Sequence, residues 1–365
     1  MKLRLSIALL SSIAFALSGA ALAQAGAVYT LTNASSGNAV MVYNRDANGQ
    51  MSVGAMVATG GLGTGAGLGN QGALAMDADN DFLFAVNAGS DNISVFKIRQ
   101  NGLQLVGVTA SGGNHPISLT ANHGVLYVLN NGAAVGGTDT IAGFAVSPTG
   151  KLATIVSGLG LSAASVGPAQ IGFNHAGNVL LVTEKATNNL DVFTVNSAGL
   201  ASGPTVVPSV GQTPFGFAFG KRDQALISDA FGGGANAGAM TSYLVSKIGA
   251  VQAISGAVVD NQSAPCWVAI TSDGRFAYTT NTASGNISAY GVNFNGQLRL
   301  LNATASTGTG SKPLDAAISN DGRYLYALTP GTGNIQGFFV ALDGSLSPLT
   351  QASGVPAFAS GLIVR

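Results

Sequence analysis

Residues 264–298, APCWVAITSDGRFAYTTNTASGNISAYGVNFNGQL, align without a gap with residues 312–346, KPLDAAISNDGRYLYALTPGTGNIQGFFVALDGSL. Each segment has a proline near its start, an Asp-Gly-Arg turn, a Gly-Asn-Ile step and a second Asn-Gly or Asp-Gly turn. Turns of this composition join neighbouring antiparallel strands. Each segment therefore predicts four short strands, and the self-similarity predicts a repeat fold.

Weaker copies of the unit begin near Gln71, His115, Gly167 and Thr213. The landmark residue of the second strand recurs seven times, at a spacing of about 49 residues, as Tyr29, Phe84, Tyr127, Leu181, Leu226, Tyr278 and Tyr326. Four-stranded units of this length, arranged radially, are typical of β-propellers. We therefore predict an all-β fold, a seven-bladed β-propeller of four-stranded antiparallel blades.

The two ends of the chain indicate how the ring closes. The first copy begins at its second strand, residues 27–31, and residues 361–365 form a strand that belongs to no other unit. The C-terminal strand is therefore predicted to complete the N-terminal blade, which leaves neither with an unpaired edge. A β-helix or a pair of sandwiches is the alternative, but the long period and the complementary ends favour the propeller.

The composition excludes several classes of protein. Of 365 residues, 52 are glycine and 8% are charged, with no net charge, whereas globular domains average about 7% glycine and about 25% charged residues. The basic residues are scattered singly, and nucleic-acid binding needs them clustered. Glycine at this density disfavours long helices, and 47% hydrophobic residues disfavour disorder. We expect a monomer with a small-molecule partner.

The first 23 residues have the pattern of a secretory signal peptide. Lys2 and Arg4 precede an apolar stretch, residues 5–17, and a small-x-small site at residues 21–23. The apolar stretch is shorter than the roughly 20 residues of a membrane-spanning helix. We therefore predict cleavage before Gln24, a secreted or periplasmic location, no membrane span, and one propeller domain at residues 24–365. The lone Cys266 is expected to be a buried, inert thiol.

The candidate site follows from blade geometry. In such a blade, the start of the first strand and the end of the second lie on one face, at the mouth of the central channel. Polar residues at these positions suit a small-molecule site, and the candidates for substrate binding are Asn87, Asn130, Gln170, Asp229, Trp267, Asn281, Lys312 and Asp315. The alternative is structural, because Asn and Asp at strand ends commonly bond their own turn.

Glu184 and His115 are the catalytic candidates. A carboxylate crowded towards a channel mouth can have a raised pKa suited to proton transfer, although pairing with Lys185 or Lys312 would give Glu184 a structural role. His115 is the one histidine expected at the mouth, because His123 and His175 fall in turns of the opposite face. No pair of histidines has metal-ligand spacing, so we expect neither a metal nor a cofactor.

The repeated pattern Pro, Asp-Gly-Arg, Tyr, Asn, Gly-Asn-Ile, Gly-x-Leu resembles the seven-bladed lactonase family, which contains bacterial 6-phosphogluconolactonases and fungal carboxymuconate cyclases. The resemblance implies a propeller with a lactone-handling site at one channel mouth. It also implies a histidine and an arginine at first-strand starts and a glutamate at the end of a second strand. The glutamate corresponds to Glu184 in the step Thr183-Glu184-Lys185.

The expected histidine and arginine do not carry over. The corresponding first-strand starts have the sequences Gly167-Pro168-Ala169-Gln170, Gln212-Thr213-Pro214-Phe215 and Ala264-Pro265-Cys266-Trp267. None of them contains an arginine, whose guanidinium group would bind an anionic substrate. The leading hypothesis is therefore a secreted, lactonase-like propeller that binds a small neutral lactone or sugar-derived ligand. The catalytic version of this hypothesis adds hydrolysis of the bound ligand. The alternative is a non-catalytic cell-envelope propeller, a scaffold that binds a protein or glycan.

Overall fold

The computed structural model describes residues 24–365, so the predicted signal peptide at residues 1–23 lies outside the described residues. The described chain forms seven antiparallel sheets, each with four principal strands. The first sheet contains β1 (Gln24–Leu31), β2 (Ala39–Asp46), β3 (Met51–Ala58) and the last strand, β29 (Ser360–Val364). We call the sheets blades 1 to 7 in chain order.

Blades 2 to 4 are built from consecutive strands. Blade 2 has β4 (Leu74–Met76), β5 (Phe82–Asn87), β6 (Asn92–Arg99) and β7 (Gly102–Ala110). Blade 3 has β8 (Pro116–Asn122), β9 (Val125–Asn131), β10 (Asp139–Val146) and β11 (Leu152–Gly160). Blade 4 has β12 (Pro168–Phe173), β13 (Val179–Glu184), β14 (Asn189–Val195) and β15 (Ala201–Pro208).

The remaining blades repeat the pattern. Blade 5 has β16 (Pro214–Phe219), β17 (Gln224–Asp229), β18 (Ala239–Val245) and β19 (Val251–Val259). Blade 6 has β20 (Pro265–Ile270), β21 (Phe276–Asn281), β22 (Asn286–Val292) and β23 (Leu298–Ser306). Blade 7 has β24 (Ala316–Ile318), β25 (Tyr324–Thr329), β26 (Asn334–Val340), β27 (Leu346–Pro348) and the short β28 (Ala352–Ser353) beside β26. Two short 3-10 turns, Gly132–Val135 and Phe231–Gly233, are the helical elements of the described chain.

The predicted closure of the ring is confirmed. Strand β29 pairs antiparallel with β1, Val28 opposite Val364 and Thr30 opposite Leu362, and becomes the innermost strand of blade 1. Each innermost strand contacts that of the next blade, and β29 contacts both β24 and β4. The sequence prediction of an all-β, seven-bladed propeller is therefore correct.

The second-strand landmarks are buried between blades, where they join one blade to the next. The hydroxyl of Tyr127 donates to the Gly199 carbonyl oxygen at 2.7 Å, that of Tyr278 to Gly344 at 3.0 Å and that of Tyr326 to Gly49 at 2.9 Å. Each acceptor lies in the hairpin between the third and fourth strands of the following blade. These three tyrosines therefore contribute both apolar burial and a hydrogen bond across the blade interface.

A β-bulge marks the start of the inner strand in four blades. The pairing register shifts after Pro116, Pro168, Pro214 and Pro265, directly opposite the end of the second strand. A bulge redirects the neighbouring side chains, so it decides which residues of this end face the channel. We call this end of the ring the mouth face. Within residues 24–365, no helix has the length and apolarity needed to cross a membrane.

Candidate functional site at the channel mouth

The connection from β3 to β4, residues 59–73, crosses the mouth face and enters the central channel. Gln71 donates its backbone N–H to Ala169 of blade 4 at 3.1 Å. Its side-chain amide pairs with Val268 of blade 6, donating to the carbonyl at 2.9 Å and accepting from the N–H at 3.0 Å. One residue of blade 2 is thereby bonded to two blades elsewhere in the ring.

Asn70 makes a similar set of bonds. Its side chain donates to the carbonyl oxygen of Ile117 in blade 3 and accepts from Ser360 Oγ of blade 1 at 3.1 Å. Its carbonyl oxygen accepts from the indole N–H of Trp267 in blade 6 at 2.5 Å. We call residues 69–71 the channel plug, because Asn70 and Gln71 together are bonded to blades 1, 3, 4 and 6 and close the channel at the mouth face.

Apolar side chains lie against the plug. Ala169, Phe215, Cys266 and Trp267 form one buried cluster, and the rings of Phe215 and Trp267 are 5.2 Å apart between centroids. Burial raises the pKa of the Cys266 thiol to about 12, so the thiol is neutral at physiological pH. Cys266 is buried, as predicted. The starts of the inner strands therefore present mainly hydrocarbon where a polar site was expected.

Lys185 is the charged side chain that contacts the plug. Its ammonium donates to the carbonyl oxygen of Gly69 and lies 4.9 Å from the centroid of the Phe215 ring. Burial lowers the pKa of Lys185 to about 8, with Cys266 and Asp139 acting in the opposite direction. A lysine in such an environment has an appreciable neutral fraction near physiological pH, and this makes its amine chemically distinctive.

Glu184 is fully buried in the wall of blade 4. Its carboxylate accepts hydrogen bonds from the Ser162 N–H at 3.2 Å, from Ser162 Oγ at 2.6 Å and from Thr187 Oγ1. The Ser162 N–H also donates to Asp191 at 2.7 Å. Burial and the adjacent Glu184 raise the pKa of Asp191 well above its usual range. The two acids therefore share an enclosed site, and Glu184 anchors the loop that carries Lys185.

The equivalent residues of other blades are also buried, and three of them bond to the third strand of their own blade. Asn87 donates to Asn92 and Ser94, both at 2.7 Å. Asn281 donates to the corresponding pair, Asn286 and Ser288, at 2.8 Å. Asp229 accepts from Thr241 at 2.5 Å, and Asn130 is packed against Gly113. These four candidates are placed in the blade walls, together with Glu184.

Asp315 is buried near the channel axis. It accepts the N–H of Gly72 at 3.2 Å and that of Gly361 at 3.1 Å, and burial raises its pKa to about 7. It thereby ties the start of blade 7 to blades 2 and 1. Gly72 has φ of +83°, a conformation that favours glycine, and this turn directs the chain from the plug into β4.

Two candidates lie at the rim of the mouth face. His115 and Lys312 each precede a proline and have positive φ, +56° and +48°. His115 is half-buried, its N–H donates to Asp91 at 2.7 Å, and burial lowers its pKa, although Asp91 raises it. Lys312 is exposed. Gly167, Thr213 and Ala264 have positive φ at the equivalent positions, so this turn is part of the repeat.

The structure brings Gln170 and Trp267 to the channel, below the plug. The Gln170 amide pairs with Phe217 of the next blade at 3.0 and 2.6 Å. Gln71 and Gln170 also line a cavity of about 300 Å³ that follows the inner strands away from the mouth face. The sequence interpretation did not include the plug, Lys185 or Phe215 in the site. The sequence signal that could have indicated the plug was the pair of amide residues, Asn70 and Gln71, directly after a glycine-rich stretch.

Within residues 24–365, Lys185 and Lys312 are the only lysines or arginines on the mouth face; the others lie in or near turns of the opposite face. The same described residues contain no group of three or more His, Cys, Asp or Glu arranged to hold a metal. The mouth face therefore offers amine and imidazole groups, without guanidinium groups.

Comparisons with known proteins agree with the fold. The sequence model of a family described as "Lactonase, 7-bladed beta-propeller" matches residues 23–159 and 234–356. The Pseudomonas aeruginosa periplasmic gluconolactonase PpgL superimposes with a TM-score of 0.72 at 18% identity, covering 92% of this chain and 99% of its own. No curated protein matches the sequence significantly.

Two further solved structures are similar. A Lactobacillus plantarum protein gives a TM-score of 0.75 at 17% identity, with 94% of this chain and 99% of its own covered. A Bacteroides fragilis protein, provisionally described as a 6-phosphogluconolactonase, gives 0.69 at 17% identity, with 93% and 98% covered. At these sequence identities, the similarity shows a shared fold.

Proposed function

Because this chain belongs to the seven-bladed β-propeller lactonase family, we propose that it binds and hydrolyses a small neutral lactone at the mouth face. Family membership is the observation that carries this proposal. We further propose that residues 24–365 are one domain, exported to the periplasm or the exterior after removal of residues 1–23. The similarity to a periplasmic gluconolactonase from Pseudomonas aeruginosa is compatible with a sugar-derived lactone as the ligand.

The charge distribution favours a neutral ligand. Phosphorylated and polycarboxylated lactones are best held by guanidinium groups, which bind such anions through two parallel hydrogen bonds. The described arginines lie away from the mouth face. Lys185 carries one ammonium beside the apolar cluster of Phe215 and Trp267. One donor beside hydrocarbon suits a carbonyl group on a small, largely uncharged ring.

In this proposal His115 is the general base. Burial lowers its pKa, so its imidazole is mainly neutral at pH 7 and can take a proton from water. The resulting hydroxide adds to the lactone carbonyl, which accepts a hydrogen bond from a mouth-face ammonium, Lys185 or Lys312. The ring C–O bond breaks, and the leaving alkoxide takes up the proton from His115. Glu184, enclosed by Ser162 and Thr187, acts as a positioning residue for the loop after β13.

The test is a pH-stat assay of neutral and phosphorylated sugar lactones at pH 7, corrected for spontaneous hydrolysis. We expect turnover of neutral lactones and about a 100-fold lower kcat/KM for His115→Asn, the typical scale of a lost general base. His123→Asn is the matched control, because His123 also has positive φ and lies in a turn of the opposite face. No turnover of any lactone, or equal loss in both variants, would contradict the proposal.

The second candidate is a non-catalytic propeller that acts as a protein- or glycan-binding scaffold. The plug favours it, because the polar side chains of Asn70 and Gln71 at the mouth face are already bonded to the ring. Calorimetric binding of a neutral lactone or a glycan, without turnover in the same sample, would support this candidate over the hydrolase.

A further inference from the structure

Lys185 has an unusual set of neighbours. Its amine contacts one carbonyl oxygen, that of Gly69, and one aromatic face, that of Phe215. Among the side chains described between residues 24 and 365, the ion pairs within 4.0 Å are Lys97–Asp81, His175–Asp223 and Arg275–Asp273. Lys185 thus has no carboxylate of the described chain to hold its proton.

None of the other described titratable groups around Lys185 forms an ion pair with it, although Asp139 raises the pKa of Lys185 and so opposes part of the effect of burial. The Cys266 thiol is neutral because burial raises its pKa. Asp139 is directed elsewhere and accepts the N–H groups of Ala133 at 3.0 Å and Val166 at 2.8 Å. Glu184, the preceding residue, is bonded to Ser162 and Thr187.

The amine is also close to solvent. Gly69, whose carbonyl it contacts, is exposed, and a Cβ built at Gly69 would lie 3.4 Å from Lys185 Nζ with no other atom within 4 Å. The hydrogen bond between the Lys185 amine and the Gly69 carbonyl oxygen therefore lies at the exposed edge of the plug. A small molecule at the mouth face can approach the amine along the exposed edge of the plug.

We propose that Lys185 is an acyl-acceptor site, whose amine attacks the carbonyl carbon of a small lactone and retains the ring-opened acyl group as an amide. A C–N bond forms between Nζ and the carbonyl carbon, and the ring C–O bond breaks. The nitrogen loses its proton to the departing alkoxide, which becomes a hydroxyl. No water or further reactant is consumed, and the product contains the whole lactone. This inference rests on lactone binding at the mouth face, as in the proposed function, but it does not require turnover.

The expected selectivity follows from the fraction of neutral amine. At pH 7 an amine with a pKa of about 8 is about one-tenth neutral, about 200 times more than an ordinary lysine. A weaker base is a weaker nucleophile, so we expect acylation of Lys185 about tenfold faster than that of Lys97 or Lys312. Desolvated lysines beside apolar groups act as nucleophiles in this way.

The experiment incubates the full mature protein with glucono-δ-lactone at pH 7 and follows each lysine by peptide mass spectrometry. We expect addition of one intact lactone mass to Lys185 first. Lys185→Arg, which keeps a donor for Gly69, should lose this addition and retain the slow reactions of Lys97 and Lys312. Acylation of Lys185 no faster than that of Lys312 would overturn the inference, provided that circular dichroism shows a folded protein.

The same samples separate this inference from the proposed hydrolysis. Turnover of the lactone without modification of Lys185 would overturn the acyl-acceptor role and leave hydrolysis supported. Modification of Lys185, with no turnover even at the start of the reaction before the modified fraction accumulates, would support the acyl-acceptor role and contradict hydrolysis.

Discussion

Replacing Asp229 by asparagine should change how the stability of the protein depends on pH. Asp229 is fully buried, one carboxylate oxygen accepts from Thr241, and the other has no hydrogen-bond partner among the described residues. Burial raises its pKa from 3.8 to about 7. The folded state therefore keeps a proton that the unfolded chain releases at lower pH.

The sign and size of this pH effect on stability follow from the linkage between proton binding and folding. Between about pH 4 and pH 7 the folded state binds more protons at this group, so its contribution to the free energy of unfolding falls as pH rises. The slope is about 1.4 kcal/mol per pH unit, which gives a loss of about 3 kcal/mol between pH 5 and pH 8. An asparagine side chain in place of Asp229 does not titrate, so the variant lacks this pH dependence. Its amide could bond to Thr241 as Asn281 donates to Ser288.

The measurement is equilibrium urea unfolding of both proteins at pH 5 and pH 8. We expect Asp229→Asn to be close to wild type at pH 5 and about 3 kcal/mol more stable than wild type at pH 8. Asp273→Asn is the control, because Asp273 is paired with Arg275 and its pKa is lowered to about 2, outside this window. A difference between Asp229→Asn and wild type that is the same at both pH values would refute the reasoning.

Three further predictions concern the ring, the plug and the leader. Tyr326→Phe should cost about 1 kcal/mol in urea unfolding, the net value of one hydrogen bond, because it loses the bond to Gly49; no loss would contradict the role of the hydroxyl at the blade interface. Gln71→Ala should cost about 1–3 kcal/mol in the same assay, because the buried Val268 loses both amide partners; Gln100→Ala, at an exposed turn position, should cost less than about 0.5 kcal/mol. Intact-mass analysis of the exported protein should show a chain beginning at Gln24, and a retained leader would contradict the predicted cleavage.

The repeat made most of the fold predictable. Turn residues and apolar runs at a fixed period indicate the strands of each blade, and a radial arrangement of such blades buries both faces of each sheet. The position of residues 361–365 at the end of the chain, with a blade lacking its first strand at residues 27–31, then fixed the closure. The prediction of the strands and the prediction of the closure both depend on patterns that are visible in a single sequence.

The site was less predictable for two physical reasons. The bulges after Pro168 and Pro265 change the register opposite Glu184 and Asn281, and a bulge reorients side chains in a way that simple alternation along a strand does not show. Residues 59–73 have no periodic sequence pattern that would predict their path, and their glycines permit many backbone conformations. Its final course depends on partners such as Val268 and Ile117, which are distant in sequence.

The pairing of β1 with β29 also imposes an order on assembly. During synthesis, blades 2 to 7 can each complete four strands from consecutive residues, whereas blade 1 must wait for residues 360–364. Until then, β1 has an open edge able to pair with other chains. Joining residue 28 to residue 364 also requires closing almost the whole chain into a loop, an entropic cost that rises with loop length. The seam between β1 and β29 is therefore where folding should finish and where the ring should first open under stress.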